Sequence, residues 1–562
     1  MKTKLTGFAL IAAMLAGLSG CGLIPYKQYA NHAAPAQTDT MTYGQASFAL
    51  RDARYVQSGP SRVDCSPKRY RDVLVMLALS GGGSRASLLS ALSMYQMQNI
   101  KVGDSNLLAE VDLISAVSGG ALAAAYYAIS GDPPDAGIPA ACHHARNGRT
   151  WDKATVTALM TRDYRDRGLL NWLSPGNFLL YWFTTYNRSD IMADTLDSNL
   201  YTAATSGKSL SFADMNPGRP NLVLNATLAS EDPAGEYAFG QPFTFTDEDF
   251  ARIGSSVEDY PISRAVMASS AFPGYFNFMT LRNYRVAKGN DEYVHVFDGA
   301  NADNLGLTSI KREIWMLHRS GKLGRYRRIV VILVDAYPGR SGVSTATPDV
   351  RRWYDYVIDT NIVTATDALL AKSRVELLNQ FETADIFPYG HTEWEAGPDA
   401  GKRQIRARQA SIACERFFSW EPPEEAKRDC ENTDWDALNR AVGTRLLFAY
   451  IGFQEVADPD LRYQLQTIKT DFTLSDATDP HTRLTPAQAI ECAVPALVGT
   501  EDVTTCGKYQ MAPALSRRWK YLLSEIEGPP QLACNKDKRG DGRANDAPPS
   551  AQDCQTSALR PQ

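Results

Sequence analysis

Several things are scarce in this chain of 562 residues. Beyond its first 20 residues it has no run of 18 uninterrupted apolar residues, so its body does not read as membrane-spanning. It has seven histidines, no Cys-x-x-Cys and no His-x-x-x-His spacing, which leaves a zinc site little to build on; no metal is expected. A basic excess is also missing. Net charge is −5, and Lys2 and Lys4 supply +2, so the chain without its first 20 residues stands at −7. Phosphate-backbone binding needs a clustered basic face, so no nucleic-acid partner is expected. No internal repeat appears. What remains is ordinary globular composition, 44% apolar and 22% charged, with length for a large core. Length alone would suit two to four domains, or one large α/β enzyme with insertions.

The N-terminus has the anatomy of an export signal over 1–20: a basic start, then the apolar Phe8-Ala-Leu-Ile-Ala-Ala-Met-Leu-Ala. It ends Leu18-Ser-Gly-Cys21, which resembles the bacterial lipobox. That resemblance implies a diacylated Cys21 as mature N-terminus and a lipidated tether with a lead-in segment over 21–66. Several acyl chains on one cysteine anchor stably where one chain is marginal. Gly22, rather than Asp, follows the cysteine; in enteric-type sorting that implies the outer membrane. The expected location is therefore the bacterial cell envelope. Setting Cys21 aside leaves eight cysteines, an even count that favours disulfides in an exported protein. Pairing is not readable, although Cys414/Cys430 and Cys492/Cys506 would close short loops.

Regular structure begins at Asp72-Val-Leu-Val-Met-Leu-Ala-Leu79, a continuous apolar run suited to a central parallel strand. The glycine run Ser80-Gly-Gly-Gly-Ser-Arg-Ala86 and a helical pattern follow. A second strand, Val111 to Val117, ends at Ser118, and Gly119-Gly120 open another helix. Strand–helix–strand–helix order implies a right-handed parallel unit. Residues 131–220 read as an irregular insertion. It includes Gly168 to Phe183, dense in apolar and aromatic groups. That stretch would wall an acyl site or touch lipid on one reading and fill core on the other; aromatic clusters are usually core. Strands are expected at Leu222–Leu228, Pro242–Thr246, Tyr293–Phe297 and Ile329–Asp335, with helices at Ile262–Ala271 and Leu307–His318. Asp349–Phe381 reads as one long amphipathic helix. The expected partition is an α/β core over 67–345, a helical, cysteine-bearing C-terminal extension over 346–527 and a disordered tail over 528–562.

The chemistry gathers at turns. A serine hydroxyl is a weak nucleophile and needs a base, plus donors for the oxyanion of a tetrahedral intermediate. Ser118 stands between a buried strand and a helix start, in Ala116-Val-Ser-Gly-Gly120, a variant of G-x-S-x-G. Gly81, Gly82 and Gly83, with Gly119, offer backbone N–H groups for an anion. Asp298 closes a third strand in a turn. None of the histidines completes a triad well: His295 shares a strand with Asp298 but points to the opposite face, His318 lies within a helix, and His391 lies in a loop. A Ser118–Asp298 dyad is the better reading, with apolar surroundings raising the aspartate pKa so that it accepts the serine proton.

Taken together, Gly81-Gly-Gly-Ser-Arg85, Ala116-Val-Ser-Gly-Gly120 and Asp298-Gly-Ala300 resemble the patatin-like phospholipase family in order and spacing. That family uses a glycine-rich oxyanion loop, an elbow serine and an aspartate base, and hydrolyses acyl esters without histidine. Ala268-Ser-Ser-Ala-Phe-Pro-Gly-Tyr-Phe276 resembles its helix-and-proline segment, and Asn304 its asparagine after the acid. The resemblance covers about 72–310. Ala116 replaces the usual first glycine of the elbow and Ala86 the glycine after Arg85. It implies a three-layer α/β/α sandwich with a mostly parallel sheet, an envelope-anchored lipid acyl hydrolase of phospholipase A or lysophospholipase type, a lipid substrate and no cofactor. Arg85, Ala116, Gly120, Gly299, Ala300 and Asn304 would support the site. Arg85 would pair with a carboxylate or serve the oxyanion loop or a lipid phosphate.

Competing patterns are weaker. Gly81-x-Gly83-x-x-Ala86 also fits a dinucleotide fingerprint, but Ser118 stands where the ribose acid belongs. Gly207-Lys-Ser209 lacks the P-loop's earlier glycine. Ser269 and Ser270 read as helix-packing residues, and Asp335 as structural. Asp537–Asp546 fails a calcium-loop register at Arg539. The reading from another class is a catalytically silent surface lipoprotein that binds lipid or scaffolds assembly.

Overall fold

The computed structural model describes residues 31–34, 45–50, 55–58, 61–131, 142, 147–230, 239–286, 292–339, 361–387, 414, 417–418, 421, 423–499 and 506–528. The export signal, Cys21, the first part of the long helix (349–360), His391, Cys534, Cys554 and the tail from 529 lie outside them.

One sheet organises the chain. Its strands are β1 (Val73–Leu79), β2 (Leu113–Val117), β3 (Asn221–Leu228), β4 (Pro242–Thr244), β5 (Met279–Arg282), β6 (Tyr293–Asp298), β7 (Arg328–Asp335) and β8 (Leu446–Gly452). They lie in the order β5-β6-β3-β2-β1-β7-β8, with β4 also pairing β3. From β3 to β8 all neighbours are parallel; β6 and β4 run antiparallel to β3, and β5 antiparallel to β6. The sheet is therefore mixed, with the expected parallel run from β3 to β8 and the antiparallel strands gathered beyond β3. Strands β5 and β8 were not legible in advance; β8 shows that the C-terminal extension closes the sheet edge.

The continuous apolar strands follow from burial on both faces. In β1, Val73, Val75, Leu77 and Leu79 face one core while Leu74, Met76 and Ala78 face the other. Each such side chain contributes about 1.5–3 kcal/mol when fully buried. The first face is covered by α1 (Gly83–Asn99), α2 (Gly119–Ile129), α7 (Ile262–Ser269), α10 (Pro459–Thr467), α11 (Pro486–Val498) and α12 (Pro513–Glu527). The second is covered by α8 (Leu307–Arg319) and the end of α9 (Asn361–Glu382). This is the expected three-layer sandwich. The insertion is helical, with α3 (Lys153–Met160), α4 (Tyr164–Trp172), α5 (Pro175–Phe183) and α6 (Arg188–Leu196). Its order comes from local capping: Asp152 and Asp163 accept from backbone amides at the starts of α3 and α4, and Asn187 with Asp190 makes a capping box on α6. Disulfides Cys65–Cys142, Cys414–Cys430 and Cys492–Cys506 staple the periphery.

Candidate active site

The geometry of the site begins with strand lengths. β2 pairs with β3 as far as Val117 opposite Asn225. β3 then continues through Ala226, Thr227 and Leu228, and those three residues are where β6 pairs, with Asp298 opposite Ala226. The aspartate strand thus arrives from the opposite direction. It still ends beside the end of β2, because β3 overshoots. Asp298 was expected at the carboxyl edge of a parallel sheet; it reaches the same place on an antiparallel strand.

Ser118 follows β2 directly, with φ 48° and ψ −119°. A non-glycine residue at positive φ stores strain, which a close-packed turn must hold. Its neighbours explain the hold. The Ser118 amide donates to Ser269 Oγ at 2.9 Å, at the end of α7. Gly119 lies so close to the glycine loop that a methyl there would come within 2.1 Å of the Gly83 carbonyl oxygen, and one at Gly120 within 2.7 Å of the Leu79 and Ser80 carbonyls. Ala116 is fully buried in the strand, so its methyl is accommodated.

Ser118 Oγ donates to Asp298 Oδ2 at 3.1 Å. The other carboxylate oxygen, Oδ1, accepts the Ala300 amide at 2.9 Å. Thr227 Oγ1 donates to the Asp298 carbonyl at 2.8 Å, and the Asp298 amide donates to Ala271 O at 3.2 Å. Gly299 backs onto β3, where an added methyl would meet Asn225 O at 2.4 Å. Burial raises the Asp298 pKa from its usual range to about 7, against the opposing pull of the Ala300 amide and the Ser118 hydroxyl. Among the described residues no histidine is hydrogen-bonded to Ser118 or Asp298; His295 instead shares a hydrogen bond with Thr280 Oγ1 at 2.9 Å. A buried carboxylate poised near neutrality and holding a strained serine hydroxyl can accept that proton without imidazole.

The glycine loop sits where expected, between β1 and α1, with one reassignment. The Gly81 amide donates to Asn304 O at 3.0 Å. It is occupied holding the loop, and a methyl on Gly81 would strike Asn304 Oδ1 at 2.3 Å. Asn304 is therefore placed as a buttress. Gly82 (φ 141°), Gly83 (φ 61°) and Gly119 have backbone N–H groups with no hydrogen-bond acceptor among the described residues.

Arg85 reaches toward the C-terminal extension. Buried at the first turn of α1, it donates to the Ile468 carbonyl and, at 3.1 Å, to Thr470 Oγ1. The Asp471 carbonyl accepts the Ser84 amide at 2.8 Å and lies over Gly83, where a methyl would meet it at 2.3 Å. Residues 468–472 of the extension thus cross the glycine loop. No spacing signal in the sequence announced this crossing, or the role of Ser269 as acceptor. Asp335 is structural as read: it pairs with Arg374 at 2.6 Å and accepts from Tyr450 at 3.1 Å.

A strained serine at a strand–helix elbow, bonded to a buried aspartate, has the geometry that acyl transfer through a serine hydroxyl requires. Residues 77–310 match the model of the patatin-like phospholipase family, and that match supports lipid acyl hydrolysis in general. No curated protein matches the chain. Among solved structures, the chain is similar to human GIVD cytosolic phospholipase A2, at 12% identity and a TM-score of 0.27, over 46% of this chain and 42% of that one. It is also similar to VipD from Legionella pneumophila, at 12% identity and a TM-score of 0.20, over 89% of this chain and 86% of that one. The chain thus spans less than half the length of the human enzyme it matches.

Proposed function

We propose that this protein is a membrane-anchored serine hydrolase that cleaves acyl esters of lipids, of phospholipase A or lysophospholipase type, with Ser118 as nucleophile and Asp298 as general base. The observation that carries the reading is the 3.1 Å hydrogen bond from Ser118 Oγ to a carboxylate whose pKa burial brings to about 7. Ser118 Oγ attacks the ester carbonyl carbon as its proton passes to Asp298. The Gly82, Gly83 and Gly119 amides receive the oxyanion; one such donor is commonly worth about 3 kcal/mol of barrier. Asp298 then protonates the leaving alcohol. Water repeats the route on the acyl-enzyme and releases the fatty acid, so one ester and one water yield one acid and one alcohol.

The anchoring half of the reading rests on the Leu18-Ser-Gly-Cys21 sequence, with lipidated Cys21 holding the enzyme at the outer membrane of a bacterial envelope. Tethering would raise the local concentration of enzyme at its substrate surface. A fluorophosphonate probe tests the catalytic half. Labelling of the wild type and not of Ser118→Ala supports it. Absence of labelling in the presence of lipid would favour the catalytically silent scaffold.

A further inference from the structure

Core packing was one reading of Gly168 to Phe183, and the structure does not bear it out. No residue of α5 is buried. Leu169, Leu170, Leu173, Phe178, Leu179, Trp182 and Phe183 are all exposed, by 39% to 68%. The hairpin is nonetheless ordered from within. Trp172 meets Tyr181 edge-on at 5.6 Å, and Asn177 Nδ2 donates to Asn171 Oδ1 at 2.9 Å. Soluble proteins rarely leave so dense an apolar face uncovered without a use for it.

Two observations say what covers it. The first is charge. From Gly168 to Asn187 the chain runs 20 residues without a charged side chain, and Arg167 and Arg188 stand immediately outside at either end. An apolar, Trp- and Tyr-bearing face whose margins carry Arg165, Arg167 and Arg188, with Asp166 the exposed acid among them, matches a lipid boundary, acyl chains within and phosphates at the rim. The stretch is folded as two short helices, and among the described residues no helix is long and apolar enough to cross a membrane. It therefore suits insertion along the surface. The second is position. Ser189 Oγ, just past the hairpin, donates to Asn277 O at 2.5 Å. Asn277 lies between the exposed Tyr275 and Phe278, and Phe278 packs on Phe297, the residue before Asp298, at 6.0 Å between ring centroids. On the other flank, the Tyr164 amide at the start of α4 donates to Phe472 O, beside the Asp471 that overlies Gly83. The hairpin is thus tied at both ends to segments that flank the Ser118–Asp298 site.

We propose that α4 and α5, continued by Tyr275 and Phe278, form the face that seats this protein on a lipid surface with its catalytic site turned to the membrane. The choice of lipid as occupant rests on the acyl-hydrolase reading; the binding test is built to stand apart from it. The full chain carrying Ser118→Ala, which turns nothing over, is mixed with phosphatidylcholine vesicles whose acyl chains are brominated. Bromine quenches tryptophan only on contact, so quenching is expected, and adding Trp182→Phe should remove at least half of it. Leu170→Asp with Leu179→Asp, both at exposed positions, should abolish most of the remainder. In the Ser118 enzyme the same pair should cut the rate on vesicle phospholipid at least tenfold and leave a soluble short-chain ester within twofold.

Quenching that is absent, or that survives both aspartates, overturns the proposal. So does a dimer that the aspartates convert to monomer while quenching stays unchanged, because the face would then serve a second copy. Should quenching behave as expected while neither ester is hydrolysed, the hydrolase reading falls and the docking face stands.

Discussion

Ser269 holds Ser118 and Gly299 at once: its hydroxyl accepts the Ser118 amide at 2.9 Å, and its carbonyl accepts the Gly299 amide at 3.2 Å. One residue at the end of α7 thus ties the elbow to the turn that carries the aspartate. The first bond satisfies an N–H in a strained, buried turn, where an unmet donor costs about 1–3 kcal/mol. Ser269→Ala removes only the hydroxyl and keeps the carbonyl. The expected result is a kcat about tenfold lower on a soluble ester with KM within twofold, since serine placement changes and substrate contacts do not. An unchanged kcat would show that the elbow holds itself.

On the proposed Ser118–Asp298 mechanism, the state of Asp298 sets the pH profile. With its pKa near 7, the base is protonated and idle in acid, so kcat/KM should rise about tenfold per pH unit below 7 and level off above it. Stability should run the other way. The folded pKa is raised above the unfolded one, so between about pH 4 and 7 the native state binds more protons, and stability falls as pH rises through that window. Asp298→Asn removes the cost of ionising a buried carboxylate. It should abolish turnover yet melt higher than the wild type at pH 8, with the gap closing toward pH 4. A variant that melts lower at pH 8 would contradict the desolvated carboxylate.

Much of this site was legible because its parts are local. A glycine run after a strand, a serine between strand and helix, and an aspartate at a strand end are each set by backbone needs that only a few residue types meet, as the 2.1 Å clearance at Gly119 illustrates. What was hidden depends on contacts distant in sequence. The place where β6 ends is decided by a three-residue overshoot of β3, which no periodicity records. The Gly81 amide has the position of an oxyanion donor in the sequence, yet Asn304 O, more than 200 residues on, occupies it. The Trp172–Trp182 stretch has the composition of core, and only the surrounding packing shows it left outside. The crossing of 468–472 over the loop joins residues nearly 400 apart; the Arg85–Thr470 bond spans 385 positions.

Close packing between the elbow and the glycine loop leaves Gly119 no room for a side chain. Its backbone is not at positive φ, so space alone decides. A methyl there meets the Gly83 backbone at 2.1 and 2.9 Å, and backbone cannot swing away as a side chain would. Gly119→Ala should lose at least a hundredfold in turnover on any ester, with a melting temperature lowered by several degrees, an overpacking cost of about 1–3 kcal/mol. Gly324→Ala serves as control, because nothing lies within 4 Å of a methyl at that position and no positive φ is needed. If Gly119→Ala matched the control, the two loops would not be in contact in solution.

Arg85 reaches away from the chemistry, yet its loss should be felt there. Its guanidinium holds the Ile468 carbonyl and Thr470 Oγ1, and the next residue, Asp471, covers Gly83 and takes the Ser84 amide. Arg85→Gln would leave residues 468–472 tied down at fewer points and open one wall of the oxyanion loop. Lys469 lies exposed in that segment, so only the anchoring of its backbone shields it from trypsin. Cleavage after Lys469, identified by fragment mass, should become at least ten times faster in Arg85→Gln, because proteolysis follows the population of the opened segment. Ester turnover should fall in parallel, by about tenfold. Faster cleavage with full activity would separate the segment from the loop's function. Cleavage at the wild-type rate would mean that the bonds through Asp471 and Phe472 hold the segment without Arg85.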